Sequence, residues 1–238
     1  VLVVDTPMDY GNLISRSFAY TKDALVGKWM QWILLVVLSL IQAFTLLLVP
    51  LLSGYVVRVL SGKTPAPEVN EWGRLFVDGW KLNIITLVYM IPAILIFLLL
   101  GGLSIIAGVG TGDLAGATSG ILTALAGTLL ALIVALLIAL LIAFIALFAI
   151  LRFAHTGRFG EAFNFSAILE HIGNLGWGTW ILAVLIIVVI AVVYSCVVSL
   201  LALIPFLGWI IVLFLNVAFA VFYARYLALV YESVPAPA

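Results

Sequence analysis

Residues 70–81 read "NEWGRLFVDGWK", and the residues after them, 82–112, carry no charge at all. Trp72, Leu75, Phe76 and Trp80 stand at positions 0, +3, +4 and +8 and so share one face of a helix, with the charges falling largely on the other. Two further stretches have the same order of a charged residue, an aromatic, a glycine, a polar residue and two apolar ones. Residues 9–18 are "DYGNLISRSF", which puts Tyr10, Leu13, Ile14 and Phe18 on one face. Residues 158–167 are "RFGEAFNFSA", which does the same for Phe159, Ala162, Phe163 and Ala167. A short amphipathic helix with aromatics on its apolar side suits a bilayer interface, where the rings sit at headgroup level and arginines reach anionic heads. The alternative is a docking face for a cytoplasmic partner. Interfacial anchoring by Tyr10, Phe18, Trp72, Phe76, Trp80, Phe159 and Phe163 is the expectation.

The solvent follows from composition. Of 238 residues, 66% are hydrophobic and only 8% charged, against about 25% charged in soluble domains. A domain of this size in water has no way to cover so much apolar surface. Formal net charge is zero, which removes the electrostatic basis for nucleic-acid binding. The single cysteine, Cys196, lies in an apolar run and allows no disulfide framework within the chain. Residues 1–28 hold six charges and no short apolar region ending in a cleavage site, so the first apolar run is expected to act as the insertion signal.

The charges also set a topology. Residues 29–57, 82–112, 114–151 and 172–224 are free of charge, and each run meets the ~20 residues that cross a bilayer. The last must cross twice, with a break at Ile204-Pro205-Phe206-Leu207-Gly208-Trp209 and helices near 179–204 and 207–231. Residues 82–151 give helices near 82–108, containing Pro92, and near 121–151, joined by a glycine-rich link that holds Asp113. Residues 29–60 fit one crossing or a tight hairpin. A hairpin leaves all ten Lys and Arg on one side, as the positive-inside rule favours, although only about ten apolar residues follow Pro50. The expected fold is an all-α polytopic bundle with six membrane segments in three hairpins, each preceded by an interfacial helix, in one integral membrane domain over 1–238. It lies in the plasma membrane with both termini cytoplasmic. The hairpins define repeat modules 9–60, 71–152 and 159–231, which end alike in Arg58, Arg152 and Arg225. Snorkelling to the interface accounts for those three arginines.

The segment 54–92, "GYVVRVLSGKTPAPEVNEWGRLFVDGWKLNIITLVYMIP", carries a resemblance. Gly54-Tyr55, Arg58, Gly62, Trp72, Leu75-Phe76-Val77-Asp78-Gly79, Tyr89 and Pro92 resemble the signature of an uncharacterised, mainly archaeal membrane family known as a domain of unknown function (DUF4013-like). A fainter similarity reaches the membrane domain of some glycerophosphodiester phosphodiesterases, without their soluble catalytic domain. The resemblance implies a polytopic membrane fold and brings no chemistry, cofactor or site residues with it.

No residue pattern supplies chemistry either. No Walker sequence, nucleophile elbow or dinucleotide fingerprint occurs, and His155, Glu161, Glu170 and His171 match no metal signature. No catalytic, cofactor or metal residue is therefore assigned. The deep spans hold no ionisable carboxylate, His or Lys, which counts against proton coupling. Gln42, Asn83 and Asn216 are the leading intramembrane polar sites, because an amide in lipid must find partners. Three readings stay open: a non-enzymatic scaffold, accessory subunit or membrane organiser; a transporter or channel for a neutral or lipid-like solute; and a lipid-modifying enzyme working around His155 to His171. The partners expected are the bilayer, and a second copy or another membrane subunit.

Overall fold

The structure is a computed structural model that describes the backbone of residues 8–109 and 114–236, and side chains outside 108–119. Asp113 therefore lies outside the described residues. The helices are α1 (Tyr10–Leu25), α2 (Trp29–Phe44), α3 (Leu51–Leu60), α4 (Trp72–Val109) and α5 (Leu114–Thr156). A 3-10 turn (Phe159–Phe163) leads into α6 (Phe165–Leu175), α7 (Trp177–Leu201) and α8 (Leu207–Tyr231). Two compact units result, one made of residues 1–83 and 148–238, the other of residues 84–147.

Four helices, α4, α5, α7 and α8, are long and apolar enough to cross a membrane. A fifth candidate is the pair α1 and α2, which is bent by 99° at its break. That differs from the six segments expected, and the difference lies in residues 29–60. There α2 has 16 residues and α3 only 10, or ~24 Å and ~15 Å at 1.5 Å per residue, both short of a ~30 Å hydrocarbon core. The reversal at 45–50 uses Leu46 and Leu47 in the left-handed region, each at a cost of about 1–2 kcal/mol. Its N–H groups are all matched. Those of Thr45, Leu46, Leu47, Leu48 and Leu51 reach backbone carbonyls, that of Val49 reaches the Thr45 hydroxyl, and Pro50 has none.

The second expected interfacial helix is the opening of α4 rather than a separate element. Glu71, Arg74, Asp78 and Lys81 pair along the helix at i,i+3 and i,i+4 spacing, so nothing interrupts the backbone before the apolar run. Pro92 also falls inside α4, which continues through it. The third stretch is not one helix. Phe159–Phe163 forms the 3-10 turn, and the Asn164 side chain then caps α6 by accepting from the Ala167 N–H at 3.3 Å. The amphipathic helix of this region is α6 itself, burying Ala167, Ile168, His171, Ile172 and Leu175. The first expected stretch is helical within α1, N-capped by Asp9 through the Asn12 N–H at 2.9 Å, and of its expected apolar face Leu13 is buried while Phe18 is exposed.

In the first unit α8 is the axis, packing against α1, α2, α3 and α7. Tyr226 donates to the Ala183 carbonyl at 3.1 Å, which ties α8 to α7, and the Trp32 indole donates to the Phe214 carbonyl, which ties α2 to α8. The α3 and α4 backbones come together at two glycines. A Cβ on Gly54 would stand 1.9 Å from the Leu75 carbonyl oxygen, and one on Gly79 would stand 1.9 Å from that of Pro50. In the second unit the α4 and α5 segments close on a small-residue seam. A Cβ on Gly127 would lie 2.4 Å from the Ser104 Cβ, and the Ser104 and Thr128 hydroxyls are 3.1 Å apart.

These contacts separate glycines by function. Gly54→Ala should lower stability by about 1–3 kcal/mol, because backbone atoms must move. Gly73→Ala, with open space around its Cβ, should be neutral or slightly stabilising. Thermal melts of both variants in nanodiscs check this, and equal effects would contradict the packing described.

Candidate functional site

The ionic residues of the first unit gather where α3, α5 and α8 end and α4 begins. Arg58, in the last turn of α3, is buried; it donates to the Asn70 side-chain oxygen at 2.8 Å and pairs with Glu71 at 3.2 Å. Glu71 also meets Arg74, which reaches on to Asp78, and Asp78 binds Lys81 at 3.2 Å. Near the end of α5, Arg152 is buried and places two nitrogens 2.7 Å from one Glu161 oxygen. Near the end of α8, Arg225 is buried, donates to the Gly62 carbonyl at 3.0 Å and stacks on Tyr20, 4.9 Å from the ring centre. Glu232 joins Arg225 to His155, whose Nε2 lies 3.3 Å away. Gly62, at φ +80°, leaves room for that carboxylate, since a Cβ there would meet Glu232 Oε1.

Arg58, Arg152 and Arg225 are thus turned inward. In place of the outward snorkelling expected, their guanidinium groups hold connecting loops. Sequence spacing gave no sign of this, because Asn70, Glu161 and Gly62 are brought to them by loop geometry. The aromatic positions divide. Phe18, Trp72, Phe76 and Phe159 are exposed. Tyr10 donates to the Thr179 carbonyl at 3.0 Å, Phe76 stands edge-on to Trp80, and Phe159 edge-on to Phe163.

The three amides are all engaged at helix reversals or between neighbours. The Gln42 side-chain oxygen accepts from the Ser53 N–H at 2.9 Å and from its hydroxyl at 3.1 Å, bracing α2 against α3. Asn83 donates to the Leu47 carbonyl at the reversal, at 3.3 Å. Asn216 accepts from the Tyr194 hydroxyl at 2.6 Å, linking α8 to α7.

Between α3, the start of α4 and the end of α5 lies a cavity of about 570 Å³. Arg58, Lys63, Arg74 and Lys81 line it against one carboxylate, Asp78, while Val57, Val77 and Phe153 form its apolar wall. Lys81 Nζ is 6.0 Å above the Phe153 ring. The sequence presented these cations as flanking charges; the fold gathers them around one open cavity.

One residue that the sequence left among solvated interfacial groups is fully buried. His171 of α6 stands edge-on to Phe148 and against Tyr231, 5.0 Å and 4.4 Å between ring centres. Neither ring nitrogen makes a well-formed hydrogen bond, although the Val234 and Tyr231 backbones approach it. Burial pushes the imidazole below its ordinary value, and the charges of Arg152 and His155 act in the same direction. Glu161 shifts for a different reason: the Arg152 hydrogen bond holds its carboxyl below the usual carboxylate range. Among the described residues no three of His, Cys, Asp and Glu gather as a metal-holding group.

Four charge-poor helices of spanning length, with their paired ions collected at helix ends, define a multi-pass helical membrane protein. A family model described as a protein of unknown function (DUF4013) matches residues 37–203. The chain belongs to that family, as the resemblance at 54–92 led one to expect. No curated protein and no solved structure matches the chain.

The two titrating groups act in separate pH windows. With its folded value lowered, His171 binds fewer protons than the unfolded chain does as pH falls through ~6.5, so its stability contribution is complete above that range and declines below it. The Glu161 contribution is lost only at lower pH, as its carboxyl protonates. His171→Phe should lift stability at neutral pH by about 1–3 kcal/mol, by removing unsatisfied buried nitrogens. It should also flatten the loss of melting temperature between about pH 7 and 5. An unchanged acid response would exclude the buried, neutral imidazole.

Proposed function

We propose that the chain is a non-enzymatic scaffold, accessory subunit or membrane organiser of the plasma membrane, with both termini cytoplasmic. In this reading three helical hairpins enter from one side. Two, α4–α5 and α7–α8, cross fully, and α2–α3 is re-entrant. The 99° bend between α1 and α2 supports α1 lying in the membrane plane while α2 enters it. All ten Lys and Arg then face the same compartment.

The observation that carries this reading is the engagement of Gln42, Asn83 and Asn216. Each closes a reversal or joins adjacent helices, which leaves them as structural fastenings rather than a polar route through the spans. The spans also have wide lipid-facing or partner-facing sides. Within the chain, only 11–22% of the most hydropathic window of each is buried. Such faces suit a second copy or another membrane subunit.

The alternative is a transporter or channel for a neutral or lipid-like solute. It draws on the re-entrant break at 45–50 next to Asn83, because interrupted helices line sites in carriers. Liposome flux across a broad solute panel separates the two. The scaffold reading expects no flux above protein-free vesicles, for the wild type and for Asn83→Leu and Asn216→Leu alike. It also expects a higher-order assembly or retained partner in mild detergent. Solute flux abolished by Asn216→Leu would overturn it.

A further inference from the structure

We infer that the cavity lined by Arg58, Lys63, Arg74 and Lys81 binds the phosphate ester of an anionic lipid headgroup. The inference rests on the placement of the basic helix ends at the bilayer surface. Four cations and one carboxylate, Asp78, line the cavity, and Glu71 beside the lining pairs with Arg58 and Arg74, so the cluster keeps an excess of positive charge. The cations have different freedom. Arg58 is buried and committed to Asn70 and Glu71, so it shapes the cavity wall rather than turning to a ligand. The Lys63 ammonium has no ion-pair partner among the described residues, while the Lys63 carbonyl is pinned by the Tyr20 hydroxyl at 3.0 Å. Its backbone is therefore held while its charge is free. Arg74 is exposed and makes only long contacts, 3.6 Å to Glu71 and 3.7 Å to Asp78, so it can turn to a ligand.

The first turn of α4 adds a donor. Gly73 lines the cavity, and its N–H is one of the groups at a helix start that have no intrahelical acceptor. The open space where a Gly73 Cβ would stand leaves that turn accessible. Size and wall chemistry favour a lipid over a free ion. About 570 Å³ is far more than one phosphate needs, and Val57, Val77 and Phe153 offer an apolar surface to a glycerol backbone.

The test uses the full chain in detergent, titrated calorimetrically with short-chain phosphatidylglycerol and, in parallel, with inorganic phosphate. Wild type should bind the lipid at one saturable site. Lys63→Glu should weaken binding about tenfold, the worth of one charged hydrogen bond. Lys22→Glu removes the same charge outside the cavity and should change binding less than about twofold. Lys63→Gln, which loses an exposed, unpaired ammonium, repeats the measurement with minimal risk to folding. Inorganic phosphate that competes would support the phosphate site while making a soluble ester an equal occupant. Phosphate that fails to compete would support the lipid. Equal losses in the Lys63 and Lys22 variants, or no saturable binding of either probe, would overturn the inference. Assembly in mild detergent, which tests the scaffold reading, is unaffected by either result.

Discussion

Hydrocarbon offers a polar group no hydrogen-bond partner, and the amides in the apolar helices, Gln42, Asn83 and Asn216, are each hydrogen-bonded within the chain. In the proposed topology the reversal between α2 and α3 is the severest case, because a non-helical backbone inside the hydrocarbon would expose donors to lipid. Its donors are matched by neighbouring carbonyls and by the Thr45 hydroxyl, and Asn83 from α4 reaches back to the Leu47 carbonyl. Gln42 fixes the two short helices to each other. In that proposed topology a segment too short to cross is held as a braced wedge.

The same constraint orders the charged end. Arginines at the ends of apolar helices have two outlets, outward to water or inward to acceptors in the chain. Arg58, Arg152 and Arg225 take the second, and each clamps a loop that connects two helices. A buried guanidinium is tolerable only with its donors satisfied, so these loops are fixed in one arrangement. The Gly54 and Gly79 contacts draw α3 against α4 and bring the cations of two elements around one cavity. Most of the residues behind the family resemblance at 54–92 fall in this region: glycines for close approach, Arg58 for the clamp, Asp78 for the cavity wall.

Much of the membrane character was legible in the charge map. The break at Ile204–Trp209 was readable from Pro205 and Gly208, and α8 begins at Leu207 as expected, with α7 ending at Leu201. The amides announced themselves as groups needing partners, though not which partners. What escaped reading depended on distance in sequence or on local capping. The opening stretch looked like a free interfacial helix, but it runs without interruption into the apolar part of α4, with one i,i+4 pair, Arg74 to Asp78, and one i,i+3 pair, Asp78 to Lys81, along it. The third stretch had the right spacing of aromatics, yet Asn164 caps a new helix in its middle. His171 could not be known as buried from its neighbours, because Phe148 and Tyr231 reach it from other helices.

The account turns on α2–α3 entering and leaving on one side, with its reversal inside the hydrocarbon. Single cysteines introduced as Lys22→Cys, Leu46→Cys and Lys63→Cys in a Cys196→Ala background, in sealed oriented vesicles, test it directly by labelling with a membrane-impermeant thiol reagent. The expected result is that positions 22 and 63 label from the same side and position 46 from neither. Labelling of 22 and 63 from opposite sides would mean that 29–60 crosses once, and would contradict both the re-entrant hairpin and the single basic face.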